Sequence, residues 1–107
     1  VERRLGELRA KSEEFAAAFA TRSYLDEYKK SLLAVLMQRA EEAGHKTTAA
    51  QEREARAAKD FIDHLEAYRV SVEQSERLRW ELEVAKLGIA VWQTQSANER
   101  LERKTYG

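Results

Sequence analysis

The chain has 107 residues, of which 43% are apolar and 36% charged, with four Gly and neither Pro nor Cys. A sandwich, barrel or βαβ fold needs Pro and Gly turn punctuation many times over, so the composition leaves an all-α single domain. Nineteen Lys and Arg balance nineteen Asp and Glu, which removes any whole-protein field toward nucleic acid or an anionic membrane; the lack of Cys excludes disulfides, a thiol nucleophile and Cys-ligated zinc.

Val1, Leu5, Leu8, Ser12, Phe15 and Phe19 recur at steps of four and three, the seam of a helix packed lengthwise on another. The register is expected to slip near Arg22, where Leu25, Tyr28, Leu32, Val35 or Leu36, and Ala40 take over. The spacing predicts one long helix over 1–43, with Gly44 as the C-cap because it enters the left-handed region without a Cβ penalty. The run Leu32-Leu33-Ala34-Val35-Leu36-Met37 is the longest apolar stretch, far short of the roughly 20 residues that span a bilayer.

His45-Lys46-Thr47 reads as a connection. Thr48-Ala49-Ala50-Gln51 has capping-box spacing, which predicts that the Thr48 hydroxyl starts a new helix. Glu52 to Ala58 has high helix propensity but no large apolar residue, so 44–59 reads as a short, mobile helical elbow. Asp60 is expected to cap a second long helix over 60–104, whose seam opens with Phe61, Leu65, Tyr68, Val72 and Ser75 and whose weak point is Gly88. The elbow then folds two coiled-coil-like helices of roughly 65 Å into an antiparallel hairpin. Acid-first pairs at i,i+4, such as Glu7 with Lys11, Asp26 with Lys30 and Glu52 with Arg56, support exposed faces.

Two apolar rows share the latter half of the second long helix. Leu78, Leu82, Ala85, Ile89 and Trp92 form one; Trp80, Val84, Leu87 and Val91 form the other. Their centres lie roughly 150° apart at 100° per residue, too far for one neighbouring helix to cover both. The first helix also widens, with Leu32, Leu33, Val35, Leu36, Met37 and Ala40 sweeping about 200°. Self-association follows, with a twofold dimer in a four-helix bundle as the expected assembly and Trp80, Val84, Leu87 and Val91 as its interface. The blander reading is that residues preceding Val1, or a looser third helix made from the elbow, cover the extra row within one chain.

Chemistry-bearing patterns are sparse. His45 and His64 lack a second His at metal spacing, and no Glu-x-x-His, phosphate loop or nucleophile elbow occurs, so neither an enzyme, a metal, a cofactor nor a small-molecule substrate is expected. The aromatic side chains of Trp80, Trp92, Tyr24, Tyr28 and Tyr68 sit where core or interface packing uses them. The elbow is the remaining patch. There Lys46, Arg53, Arg56 and Lys59 outnumber Glu52 and Glu54, and with Gln51 they are the candidate contacts to DNA or to a protein partner.

The run Tyr24-Leu25-Asp26-Glu27-Tyr28-Lys29-Lys30-Ser31, then Leu36-Met37, Ala43-Gly44-His45-Lys46-Thr47, Ala50-Gln51-Glu52-Arg53-Glu54-Ala55, Leu78-Arg79-Trp80, Trp92 and Asn98-Glu99-Arg100 resembles a group of small helical phage and prophage proteins. These are encoded near single-strand annealing and single-strand binding proteins. The likeness runs from about Arg22 to Arg100; the group's Pro near Lys59 is missing, and Gln93 replaces its Arg after the second Trp. The resemblance implies a phage origin, the cytoplasm of a bacterial host, and an accessory role in recombination or replication. Two expectations follow: a non-enzymatic oligomeric binding protein that contacts DNA or a recombination or replication protein, or an adaptor that docks a host or phage protein without touching nucleic acid.

Overall fold

A computed structural model describes residues 2–106. Val1, assigned above to the first seam, lies outside the described residues. Among the described residues there are three helices and no strand: α1 (Glu2–Glu42), α2 (Thr48–Ala57) and α3 (Lys59–Tyr106). The all-α class and the long, short, long order match the sequence reading. The second long helix starts one residue before Asp60 and runs past 104. The chain divides into two compact units, Ala17–Ser75 and Val1–Ala16 with Glu76–Gly107.

In the unit Ala17–Ser75, the latter part of α1 and the first part of α3 form a helical hairpin closed by α2. Leu36, Ala55 and Phe61, one from each helix, make its buried cluster, and Leu32, Leu33, Met37 and Ala58 pack against it. Ala55 is only 1% exposed, so α2 is pinned to the core, contrary to the expectation that nothing in the elbow holds it there. A large side chain is not needed there, because the methyl of Ala lets α2 approach closely enough for Leu36 and Phe61 to supply the apolar area. Most of the wide apolar arc of α1 is thus absorbed within the chain, by α2 and α3 together, while Val35 stays 46% exposed.

The seam itself differs from the apolar pattern. On α1 the covered positions in this unit are Ala18, Arg22, Leu25, Lys29, Leu32, Leu36 and Ala40, with no slip at Arg22; on α3 they include Phe61, His64, Tyr68, Ser71 and Ser75, while Leu65 is exposed. Polar residues hold these places by pairing across the hairpin. Arg22 NH1 donates to Ser75 Oγ at 3.2 Å, and His64 Nε2–H donates to the Leu25 carbonyl at 2.7 Å. Ser71 and Ser75 also return their hydroxyls to the Tyr68 and Val72 carbonyls. Ser71 and Ser75, both buried, are small residues that let the two backbones approach.

In the other unit, Leu8, Lys11 and Phe15 are the covered positions of α1, and Leu78, Leu82, Ala85, Ile89 and Trp92 those of α3; Leu5 and Ser12, both assigned to the seam, are exposed. Lys11 Nζ donates to Glu81 Oε2 at 2.8 Å instead of pairing with Glu7, which lies 3.6 Å from Arg3. Arg79 rests on the Phe15 ring, 5.8 Å from its centroid.

The corner between α1 and α2 is set by local hydrogen bonds. Gly44 has φ +108°, its N–H reaches the Glu41 carbonyl, and the His45 N–H reaches Ala40, the paired bonds of a Schellman cap. The start of α2 is displaced by one residue from the expected capping box. Thr47, not Thr48, is the N-cap, accepting from the Ala50 N–H at 3.1 Å. Gln51 Nε2 donates to the His45 carbonyl at 2.9 Å instead of reciprocating at the cap. Asp60 likewise lies inside the first turn of α3; the Ala58 carbonyl accepts from Phe61 and Ile62 and opens that helix. A Thr47→Ala variant is expected to lose about 1 kcal/mol and Thr48→Ala almost nothing. Gly44→Ala loses a further ~1 kcal/mol through φ alone, since an added Cβ there meets nothing within 4 Å. Urea unfolding followed by circular dichroism checks all three, and equal losses at Thr47 and Thr48 contradict the cap.

Candidate functional site

Two surfaces carry the residues singled out from sequence. On α3 the row Leu78, Leu82, Ala85, Ile89 and Trp92 is turned to the chain's own interior. Opposite it, Trp80 is 70% exposed, Val84 52%, Leu87 64% and Val91 55%. The two rows are kept apart by charged side chains closed on their own helix: Arg79 lies 3.6 Å from Glu76, and Lys86 3.7 Å from Glu83. The alternative in which the elbow helix covers the second row is not what the chain does, because the elbow helix packs on Leu36 and Phe61. Leu101, 64% exposed, continues the row at steps of three and four through Thr94 and Asn98. Two polar residues interrupt the spacing, so Leu101 is not legible in the sequence as part of the row.

The elbow residues have separate fates. Lys46 lies in the connection and Arg53 on the outer side of α2; both are exposed, with no carboxylate in ion-pair reach among the described residues. Arg56 is held by Glu52, with Nε at 3.0 Å and NH2 at 2.9 Å from Oε1, and its guanidinium lies 5.8 Å from the Phe61 ring centroid. Lys59 pairs with Asp63 at 3.4 Å. Gln51 is half-buried and its amide supports the connection, so it is a structural residue of the corner.

Folding also brings residues to the elbow that a linear count leaves out. Arg39 of α1 lies 3.4 Å from Asp60, and His45 Nε2 lies 3.9 Å from Glu54. They border an open groove of about 390 Å³ floored by Leu36, Ala40 and Ala58. Each cation on its rim has a carboxylate beside it, so the groove presents balanced charge instead of the basic excess counted along the sequence. Arg39 was legible only through the hairpin, which sets a residue before the turn against one after it.

Three other rings form a local cluster. Tyr24 stacks on Tyr28 at 5.9 Å, and Tyr28 meets the His64 ring at 5.5 Å. His64 is buried with Nε2 on the Leu25 carbonyl, and among the described residues no three His, Asp or Glu side chains converge on a common point. The Glu81 carboxylate, by hydrogen bond and by charge, raises the Lys11 pKa above its usual value; Arg69 lowers that of Glu66 in the same two ways.

A pKa raised by folding stabilises the native state at neutral pH, and that contribution is lost as pH climbs through the folded value. The stability difference between the parent chain and Lys11→Met is therefore expected to be constant near neutrality and to shrink above pH 10.5, the ordinary value of Lys11. Glu66 is the mirror case, its contribution lost as pH falls below 4.5. Thermal unfolding across a pH series reads both, and a Lys11→Met difference that stays flat to high pH counts against the Glu81 pairing.

Comparison with protein families, with curated proteins and with solved structures finds no match to this chain.

Proposed function

We propose that this chain is a non-enzymatic helical binding protein that self-associates as a dimer, forming a four-helix bundle, and acts as a phage-encoded accessory factor in DNA recombination or replication. The observation that carries the binding role is the exposure of Trp80, Val84, Leu87 and Val91 on one face of α3. Leaving each such side chain in water forgoes about 1.5–3 kcal/mol of burial, and contiguous apolar patches of this kind mark interaction sites. The setting in recombination or replication comes from the resemblance to phage proteins described above.

The charge pattern favours a protein partner for the elbow. Arg56, Lys59 and Arg39 each lie beside a carboxylate, which leaves Lys46 and Arg53 as cations open to a phosphate. Those two residues support the second reading, direct contact with DNA.

Sedimentation velocity at micromolar concentration tests the first part: a dimer is expected for the parent and a monomer with unchanged helicity for Leu87→Glu. A parent that sediments as a monomer rejects self-association. A salt titration with single-stranded and duplex DNA tests the second part. Little binding is expected at physiological salt. Binding that falls steeply with salt, and by at least tenfold in Lys46→Glu plus Arg53→Glu, establishes the DNA reading instead, because each phosphate contact releases counterions.

A further inference from the structure

Resting on the dimer reading above, we infer that the partner covering the exposed row is a second copy laid antiparallel, α3 against α3, with the twofold axis passing between Ala85 and Lys86. Only in that sense does the row set unlike side chains against each other. Reversal about this point sets Trp80 against Val91 of the second copy and Val84 against its Leu87, so all four exposed side chains meet apolar partners and the largest meets a small one. Large against small across facing positions is the arrangement that fills the space between two helices.

The charges that border the row select the same direction. At steps of seven, one edge carries Glu76, Glu83, Ala90 and Ala97, and the other carries Glu81, Gly88 and Gln95. An antiparallel copy brings Glu83 to Ala90, Glu76 to Ala97 and Glu81 to Gly88, so no acid faces an acid. Arg4 adds attraction on the second edge, because its NH1 lies over Gly88, 3.6 Å from where a Cβ would stand, in the path of the second copy's Glu81. A parallel, in-register pairing does the reverse. It opposes Trp80 to Trp80 and Arg77 to Arg77, and sets Glu76 beside Glu81 of the other chain; like charges directly apposed are the usual means by which coiled coils reject a partner orientation.

The chain has no Cys, so Gln95→Cys gives a single attachment point for a nitroxide, on an exposed residue outside the row. In the antiparallel dimer Gln95 stands level with Glu76 of the other copy, which separates the two labels by about 30 Å from helix rise and interaxial spacing. Parallel pairing places them about 10–15 Å apart. Pulsed electron–electron resonance is expected to return the long distance and to lose it in Gln95→Cys plus Leu87→Glu. A short distance overturns the orientation while leaving the dimer standing. A dimer signal that survives Leu87→Glu overturns the choice of face, and a monomer at every concentration overturns the dimer reading itself.

Discussion

A helix laid along one neighbour buries one stripe of its side chains, and the stretch of α3 from Leu78 to Trp92 carries two. Much of the molecule's behaviour follows from how that constraint is met in one place and left unmet in another. Around Leu36 most of the excess apolar width of α1 is resolved inside the chain, since α2 closes over it with the methyl of Ala55. Around Leu87 no element of the described chain lies over the second row. The first surplus is met inside the chain and the second is left open by it, because only the first has a neighbouring element within reach.

The helix contacts are held by unusually modest groups. Ser71, Ser75, Ala18 and Ala40 keep the backbones close in the hairpin, while Arg22 and His64 reach across it to hydrogen-bond acceptors. Polar groups at a seam cost little when each finds a partner, and they fix register more strictly than interchangeable leucines do. The Lys11–Glu81 pair has the same role in the other unit. Charge on this protein is thus partly internal furniture, and the near-equality of acids and bases reflects local pairing more than a surface tuned for a polyanion.

That pairing also changes the meaning of the elbow. A linear count of Lys46, Arg53, Arg56 and Lys59 gives a basic tip, whereas the folded corner adds Asp60, Asp63 and Arg39 and closes two of the four bases onto carboxylates. The groove beside Ala40 and Ala58 therefore presents paired charges of both signs.

The sequence by itself determined the helical class, the three-element order, the Gly44 stop and the division of α3 into two apolar rows, because each rests on local spacing or on the conformational freedom of one residue. It misplaced the α2 cap by one residue, since Thr47 and Thr48 both offer a hydroxyl and only the backbone angle at Thr47 separates them. It also misread parts of the seam, preferring Leu5 and Leu65 to Lys11 and His64, because apolarity marks a seam only where packing alone holds it. Whether Lys11, Arg22 and His64 belong to a surface or an interior depends on partners 39 to 70 positions away in the chain, and which small residue pins the elbow depends on Leu36 and Phe61 of the flanking helices. Those distances are closed by the tertiary fold, so the anchoring role of Ala55, the neutral elbow groove and the uncovered face of α3 were decided there.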